Sequence, residues 1–308
     1  AEGLVKRYGG LVANNNVGMR LSQGEVRGLI GPNGAGKTTL VAQLAGQLPS
    51  DGGQVLFDGQ DITRLVAHQR ARRGLLRSFQ ITRLFKSLTV QDNLVFAARA
   101  AGKGNFSAWA PRQPQGEDFD RALQVLQRVG LAAKAGLAVE QLSHGEQRAL
   151  EVGMTLAARP RLLLLDEPMA GMGAEESEAM AALIAGLRQD CAVLLIEHDV
   201  EAVFRLADEV SVLVNGRIIA ALCRLYAVVP GPDGQPFTSV LLVGIGGSAG
   251  SLEAFEQFFS QMPPDQGIGF ADIAAAARQM TGLAQAVEDR HKLLRQIVRS
   301  APPPLASP

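Results

Sequence analysis

Gly28 to Leu40 reads GLIGPNGAGKTTL, and within it Gly31, Gly36, Lys37 and Thr38 satisfy the pattern G-x-x-x-x-G-K-[ST]. The apolar run Val26 to Ile30 before it predicts a buried strand, and Lys37 to Leu48 after it predicts a helix. Glycines in that context let backbone N–H groups curl around a polyphosphate, and the helix N-terminus adds positive potential. Lys37 then reaches the β- and γ-phosphates, and the Thr38 hydroxyl is a ligand for Mg²⁺. The pattern arises by chance in a chain of this length with a probability on the order of 1%, and strand and helix on the correct sides lower it further. The stretch predicts a nucleoside triphosphate site.

Working outward, 308 residues exceed the usual size of one compact domain. Hydrophobic residues at 47% and charged residues at 19% exclude a disordered chain. Thirty basic residues balance thirty acidic ones, so no net field recruits nucleic acid or anionic lipid. The basic cluster His68 to Arg73 reads as a solvated helix face. Cys191 and Cys223 are too few for a disulfide framework and suit a reducing compartment. Arg224 interrupts the longest apolar candidate, Ile218 to Val229, so no membrane span is expected. No signal peptide is read after Ala1, and a chain opening on Ala rather than Met reads as a trimmed or fragmentary start.

Short β-like runs are expected at Leu11 to Ala13 and Val55 to Phe57, and helices at Leu65 to Leu76, Val90 to Ala101 and Phe119 to Val129. Between Gly102 and Gly116 the composition shifts to Gly, Pro and Gln around Trp109, which predicts a surface loop. Ser143 to Ala158 predicts a helix with Ser143 as N-cap and Glu146 completing a capping box. Leu162 to Leu165 predicts a buried strand ending in Asp166-Glu167-Pro168. A helix from Ala174 to Arg188 leads to a second buried strand, Ala192 to Ile196, ending in Glu197-His198-Asp199. Such alternation implies a largely parallel sheet with ligands at the carboxyl ends of its strands. A carboxylate at a strand tip can hold the water shell of Mg²⁺ beside a phosphate loop, and Asp166 fits that role. Glu167 beside it can polarise the attacking water, and His198 can contact the γ-phosphate.

LSHGEQ at Leu142 to Gln147 resembles the signature motif, usually LSGGQ, of ATP-binding-cassette ATPases. It precedes LLLLDEP, and the EHD triplet follows the next strand, in that family's order. RSFQ at Arg77 to Gln80 resembles its Q-loop, and Tyr8 in KRYGG sits where the family stacks an aromatic ring on adenine. The resemblance implies an α/β fold: a P-loop NTPase core with a mostly parallel sheet, a small antiparallel β subdomain and a helical signature subdomain. It implies an ATP hydrolase with Glu167, His198 and Gln80 as catalytic residues. Tyr8, Gly31, Asn33, Gly34, Gly36, Lys37, Thr38 and Thr39 would bind the nucleotide, and Thr38, Gln80 and Asp166 would serve Mg. Two such domains, as homo- or heterodimer, would face each other head to tail, with Ser143, Gly145 and Glu146 of one completing the ATP site of the other. His144 and Gly173 depart from the family's usual Gly and Asp/Asn.

Within the family, RSFQITRLFKSLTVQDNL, SHGEQRALEVGMTLA and DEPMAGMGAEES resemble the ATPases of branched-chain amino-acid and related amide importers. The resemblance implies transmembrane permease subunits as partners, no nucleic acid, and a place on the cytoplasmic face of the inner membrane. Ile81 to Phe85 would form part of the groove for a permease helix; a core role for Leu84 and Phe85 stands equally beside it. Lipopolysaccharide-export ATPases are the alternative within the family.

The likeness covers about 3–220, and the ATPase nucleotide-binding domain is expected over 1–220. A Pro/Gly-containing linker is expected over 221–238, then 239–300 as an incomplete strand-plus-helix appendage and 301–308 as a disordered end. GIGGSAGSLEAFEQFFSQMPPD supports three readings. Gly246, Ser248 and Gly250 spell the nucleophile elbow G-x-S-x-G. Gly244, Gly246 and Ala249 spell a dinucleotide fingerprint. The phrase over 239–268 resembles the truncated start of a chemotaxis-type receptor methylesterase domain, with Ser248 as a vestigial nucleophile. No histidine follows at a strand tip, so no esterase activity is expected. Heptad spacing of Ile273, Met280, Val287 and Leu294 predicts one long helix over Asp272 to Arg299. A signalling protein with an esterase tail and a non-hydrolysing scaffold are the rivals from other classes. Glu167 argues against the scaffold.

Overall fold

Val26–Ile30 and Ala192–Ile196, buried at every residue, lie side by side as parallel strands inside the main sheet. Burial on both faces is why each reads as an unbroken apolar run rather than an alternation. The computed structural model describes residues 1–78, 84–101, 116–230 and 236–244. In chain order the elements are β1 (Glu2–Tyr8), β2 (Leu11–Val17), β3 (Val26–Ile30), α1 (Lys37–Leu44), β4 (Gly52–Gln54), β5 (Leu56–Phe57), β6 (Gln60–Asp61), α2 (Ala67–Ala71) and β7 (Leu75–Arg77). They continue with α3 (Val90–Ala101), α4 (Glu117–Arg128), α5 (His144–Ala157), β8 (Leu162–Asp166), α6 (Ala174–Gly186) and β9 (Ala192–Ile196). The last are α7 (Val200–Leu206), β10 (Glu209–Val214), β11 (Arg217–Pro230) and β12 (Pro236–Gly244).

Residues Ala1–Ala221 form one unit and Leu222–Pro308 another. Across the first unit the main sheet runs β11-β10-β3-β9-β8-β7, with β10, β3, β9, β8 and β7 parallel. β10 turns back into β11 through Asn215 (φ 47°) and Gly216 (φ 73°), the pair of positive φ angles that a two-residue type I′ hairpin requires. A separate antiparallel sheet has the order β2-β1-β4. Between the two sheets, Leu4, Val17, Leu29, Leu40, Ile196 and Leu213 share one apolar core with α1. α3, α4 and α5 pack on one another as a helical group. The architecture is the mixed, mostly parallel sheet with an antiparallel subdomain and helical subdomain that the motifs implied. The parallel register sets the end of β3, Asp166 and the end of β9 along one edge, the edge where such sheets hold ligands.

Several local expectations change. The helix expected over Lys37 to Leu48 stops at Leu44. Its last carbonyls are held by Arg70, whose Nη1 donates to Gln43 O at 2.8 Å and Leu44 O at 2.7 Å. Arg70 is therefore buried, and the basic cluster is not a uniformly solvated face. The helix expected over Leu65 to Leu76 is only α2, because Leu75–Arg77 pairs with Leu162–Leu164 as β7. The strands β1 and β10 were not read from the sequence at all.

In the second unit, β11 from Leu222 to Pro230 pairs antiparallel with β12, Leu222 opposite Gly244 and Pro230 opposite Pro236. The linker expected over 221–238 is thus strand up to Pro230 and again from Pro236. The β-branched and aromatic residues among Leu222–Val229 and Phe237–Val243 favour pairing over open coil. Gln80, the loop around Trp109, Ser248, the Asp272 to Arg299 helix and the tail 301–308 lie outside the described residues.

Candidate functional site

The glycine-rich loop leaves the end of β3 and closes on the first turn of α1. Gly36, the residue before that helix, has φ 104°, and a Cβ there would lie 2.4 Å from the carbonyl oxygen of Ala13. Only glycine permits both the left-handed backbone and that approach. Lys37 opens α1, is 7% exposed, and donates from Nζ to the carbonyls of Gly31 at 2.7 Å and Pro32 at 3.1 Å. Burial lowers the Lys37 pKa from its ordinary value, while Glu167 and, more weakly, Asp166 push it back up.

Around this loop opens a cleft of about 430 Å³. Its lining includes the expected Tyr8, Asn33, Gly34, Gly36, Lys37, Thr38, Thr39, Glu167 and His198. It also includes Leu11, Val12 and the Asn215–Gly216 turn, which the motifs did not announce. Tyr8 and Leu11 are exposed; they form an apolar bank at one side of the cleft, with Lys6 Nζ 5.8 Å from the Tyr8 ring centroid. The Asn-Gly dipeptide was the signal that could have located the hairpin turn.

Glu167 follows β8 with φ 51°, a left-handed conformation that costs a non-glycine residue roughly 1–3 kcal/mol and persists where surrounding structure imposes it. Its N–H donates to Ile196 O at 2.8 Å. Its carboxylate accepts a contact of 2.8 Å from His198 Nε2. The side chain of Glu197, behind this pair, is buried and accepts from Met169 N at 2.8 Å and from His198 N at 3.3 Å. Burial pushes its carboxyl up to about 7, against the lowering effect of those two backbone hydrogen bonds.

Asp166 is 3% exposed. One of its oxygens takes a 2.6 Å ion pair from Arg77, whose other amino group donates to Gln47. The donor set near the loop, the Thr38 hydroxyl and the Asp166 carboxylate, consists of hard oxygen ligands and fits Mg²⁺ better than a soft metal. Mg²⁺ needs few protein ligands when phosphates supply the rest. The loop likewise fits a polyphosphate.

Ser143, Gly145 and Glu146 are not in this cleft. They open α5, where Glu146 N donates to Ser143 Oγ at 3.2 Å and Ser143 N to Glu146 Oε2 at 3.1 Å, the capping box expected. Lys134 beside it, and the bonds to Ser143, hold the Glu146 carboxyl below its ordinary range. Ser143 Oγ also donates to Glu176 at 3.0 Å, and a Cβ on Gly145 would fall 2.3 Å from the Glu176 carboxyl carbon. A side chain at Gly145 would thus have to displace the Glu176 carboxylate, and Glu176 is a residue the motifs did not single out.

Residues 14–170 match the ABC transporter family. The chain is 40% identical over 225 residues to the high-affinity branched-chain amino acid transport ATP-binding protein BraF of Pseudomonas aeruginosa, covering 71% of this chain and 88% of that one. The same figures hold for the LivG protein of Escherichia coli K12. Among solved structures, the ADP conformation of MJ1267, an ATP-binding cassette of an ABC transporter, is 29% identical with a TM-score of 0.65, covering 72% of this chain and 89% of that one. A nucleotide-free ATP-binding cassette is 26% identical with a TM-score of 0.65, covering 87% of this chain and 97% of that one. No helix among the described residues is long and apolar enough to cross a membrane.

Proposed function

Because the chain belongs to the ABC transporter ATPase family, we propose that it is the subunit whose ATP hydrolysis powers import of branched-chain amino acids or related amides. The observation that carries the chemistry is the Glu167–His198 contact of 2.8 Å at the wall of the cleft that holds Lys37 and Thr38. The importer reading rests on the 40% identity to the two branched-chain amino acid transport proteins.

In this reading the triphosphate lies along the Gly31–Thr39 loop, favoured by the α1 N-terminus. The Lys37 ammonium exchanges two carbonyl acceptors for phosphate oxygens, a stronger charge-assisted pairing. Tyr8, with Leu11 and Val12 beside it, offers the flat apolar surface that a purine ring can cover. Glu167 takes the proton of the attacking water, and His198, on the same cleft wall, holds that carboxylate through its 2.8 Å contact. Thr38 and Asp166, with Gln80, would hold Mg²⁺, which when bound neutralises charge on the phosphates.

Ser143 and Gly145 would act in the cleft of a second ATPase subunit. The Ser143 hydroxyl must then leave the Glu176 carboxylate for a phosphate oxygen. Phe85, the last residue of the segment Ile81 to Phe85, forms an exposed edge-to-face pair with Phe96, centroids 4.8 Å apart. Such an exposed aromatic pair fits the apolar face of a permease helix. The domain reading is that every ATP-site residue belongs to 1–220, the remainder being an appendage.

Leucine uptake into vesicles carrying candidate branched-chain permease subunits and this chain tests the proposal. Uptake should require both ATP and the chain. Wild-type uptake without the chain, or ATP hydrolysis indifferent to those subunits, would count against it.

A further inference from the structure

We infer that Glu197 is a positioning residue: its carboxylate ties the turn that bears Glu167 to the strand end that bears His198, and so fixes the pair that activates water. The inference rests on the reading of Glu167 as the base.

Glu167 is held in a left-handed backbone conformation, and its own N–H is fixed to Ile196 O. The next residue, Pro168, has no N–H to anchor the turn. The first donor beyond it is Met169 N–H, and it reaches Glu197 Oε1 at 2.8 Å. The other oxygen, Oε2, accepts from the N–H of His198 at 3.3 Å. The His198 ring in turn meets the Glu167 carboxylate at 2.8 Å. These bonds close a ring through Glu167, Met169, Glu197 and His198, and Glu197 is the one member with both oxygens turned to backbone donors. It is 5% exposed and does not line the cleft, so it acts through its two neighbours and not on the nucleotide. Without it, a buried N–H loses its acceptor and the strained turn loses its far anchor. A carboxylate displaced by about 1 Å can cost a factor on the order of 100 in rate.

The test compares Glu197→Met, Glu197→Gln and wild type in the full chain. Methionine fills the space without an acceptor; glutamine keeps a carbonyl oxygen for the 2.8 Å bond from Met169 N–H and gives up only the longer 3.3 Å bond from His198 N–H, where its NH2 cannot accept. The account expects Glu197→Met to lower kcat by roughly ten- to a hundredfold with KM for ATP unchanged, and Glu197→Gln to recover most of that loss. Three outcomes would overturn it: full kcat in Glu197→Met, a Glu197→Gln variant as slow as Glu197→Met, or a loss of ATP affinity that matches the loss of rate. If Glu197→Met does not fold, Glu197→Gln decides alone: its kcat should stay near wild type, and a rate as low as that of Glu167→Gln would overturn the inference. Glu167→Gln is measured in parallel. Undiminished turnover there removes Glu167 as the base, whereas a slow Glu167→Gln beside a fast Glu197→Met removes only the role given to Glu197.

Discussion

Lys37 is a buried ammonium that satisfies itself on the carbonyls of Gly31 and Pro32, the acceptors that phosphate oxygens would replace in the proposed function. Lys37→Ala removes a charge-assisted contact worth roughly 1.5–3 kcal/mol, so ATP affinity should fall about ten- to a hundredfold. Equilibrium binding of a fluorescent ATP analogue measures this, and unchanged affinity would contradict the phosphate-loop assignment. Glu197 makes a separate prediction about pH. Burial raises it to about 7, above the ordinary carboxyl value near 4.3. An acid with a raised native pKa binds its proton more tightly when folded. Its contribution to stability is therefore present below about pH 4 and lost as pH rises through about 7. At about 1.4 kcal/mol per unit, the loss is on the order of 3 kcal/mol. Glu197→Gln lacks this loss, so its unfolding free energy should gain on wild type by up to that amount between about pH 4 and 8. Parallel denaturant curves for the two proteins would contradict the burial argument.

At the scale of the element, α5 joins the capping box of Ser143 and Glu146 to an unexpected neighbour, the Glu176 carboxylate on α6. That negative charge lies against the hydroxyl and the glycine that would meet a second subunit's ATP. Glu176→Gln should therefore lower the ATP concentration at which two chains associate, read by size-exclusion chromatography or light scattering in a Glu167→Gln background. Weaker association would show that the carboxylate supports the pairing instead. The strands β3, β8 and β9 were legible because parallel strands buried on both faces have no polar alternation to confuse the reading. The capping box was legible because its partners are three residues apart. The short strand β7 was not, since its identity as a strand comes from pairing with the distant leucines of β8. For the same reason the Arg70 cap on α1, the Arg77–Asp166 ion pair and the Glu197–Met169 bond were invisible to local pattern.

On the scale of the whole molecule, the motifs reported which residues meet in the cleft because their order along the chain maps onto one edge of a parallel sheet. They underestimated the second unit, where Leu222 to Pro230 is paired strand and not linker. All the described residues that line the cleft belong to Ala1–Ala221. A chain ending at Ala221 should accordingly keep its affinity for ATP, and a cooperative loss of binding on truncation would make the second unit part of the ATPase fold. The central claim is that Glu167 activates the attacking water in an ATP site built by Lys37 and Thr38. Its most direct test is the kcat for Mg-ATP hydrolysis of Glu167→Gln against wild type, with bound ATP measured in the same samples. The account predicts full ATP binding with hydrolysis reduced on the order of 100- to 10,000-fold. Wild-type turnover by the variant would contradict it.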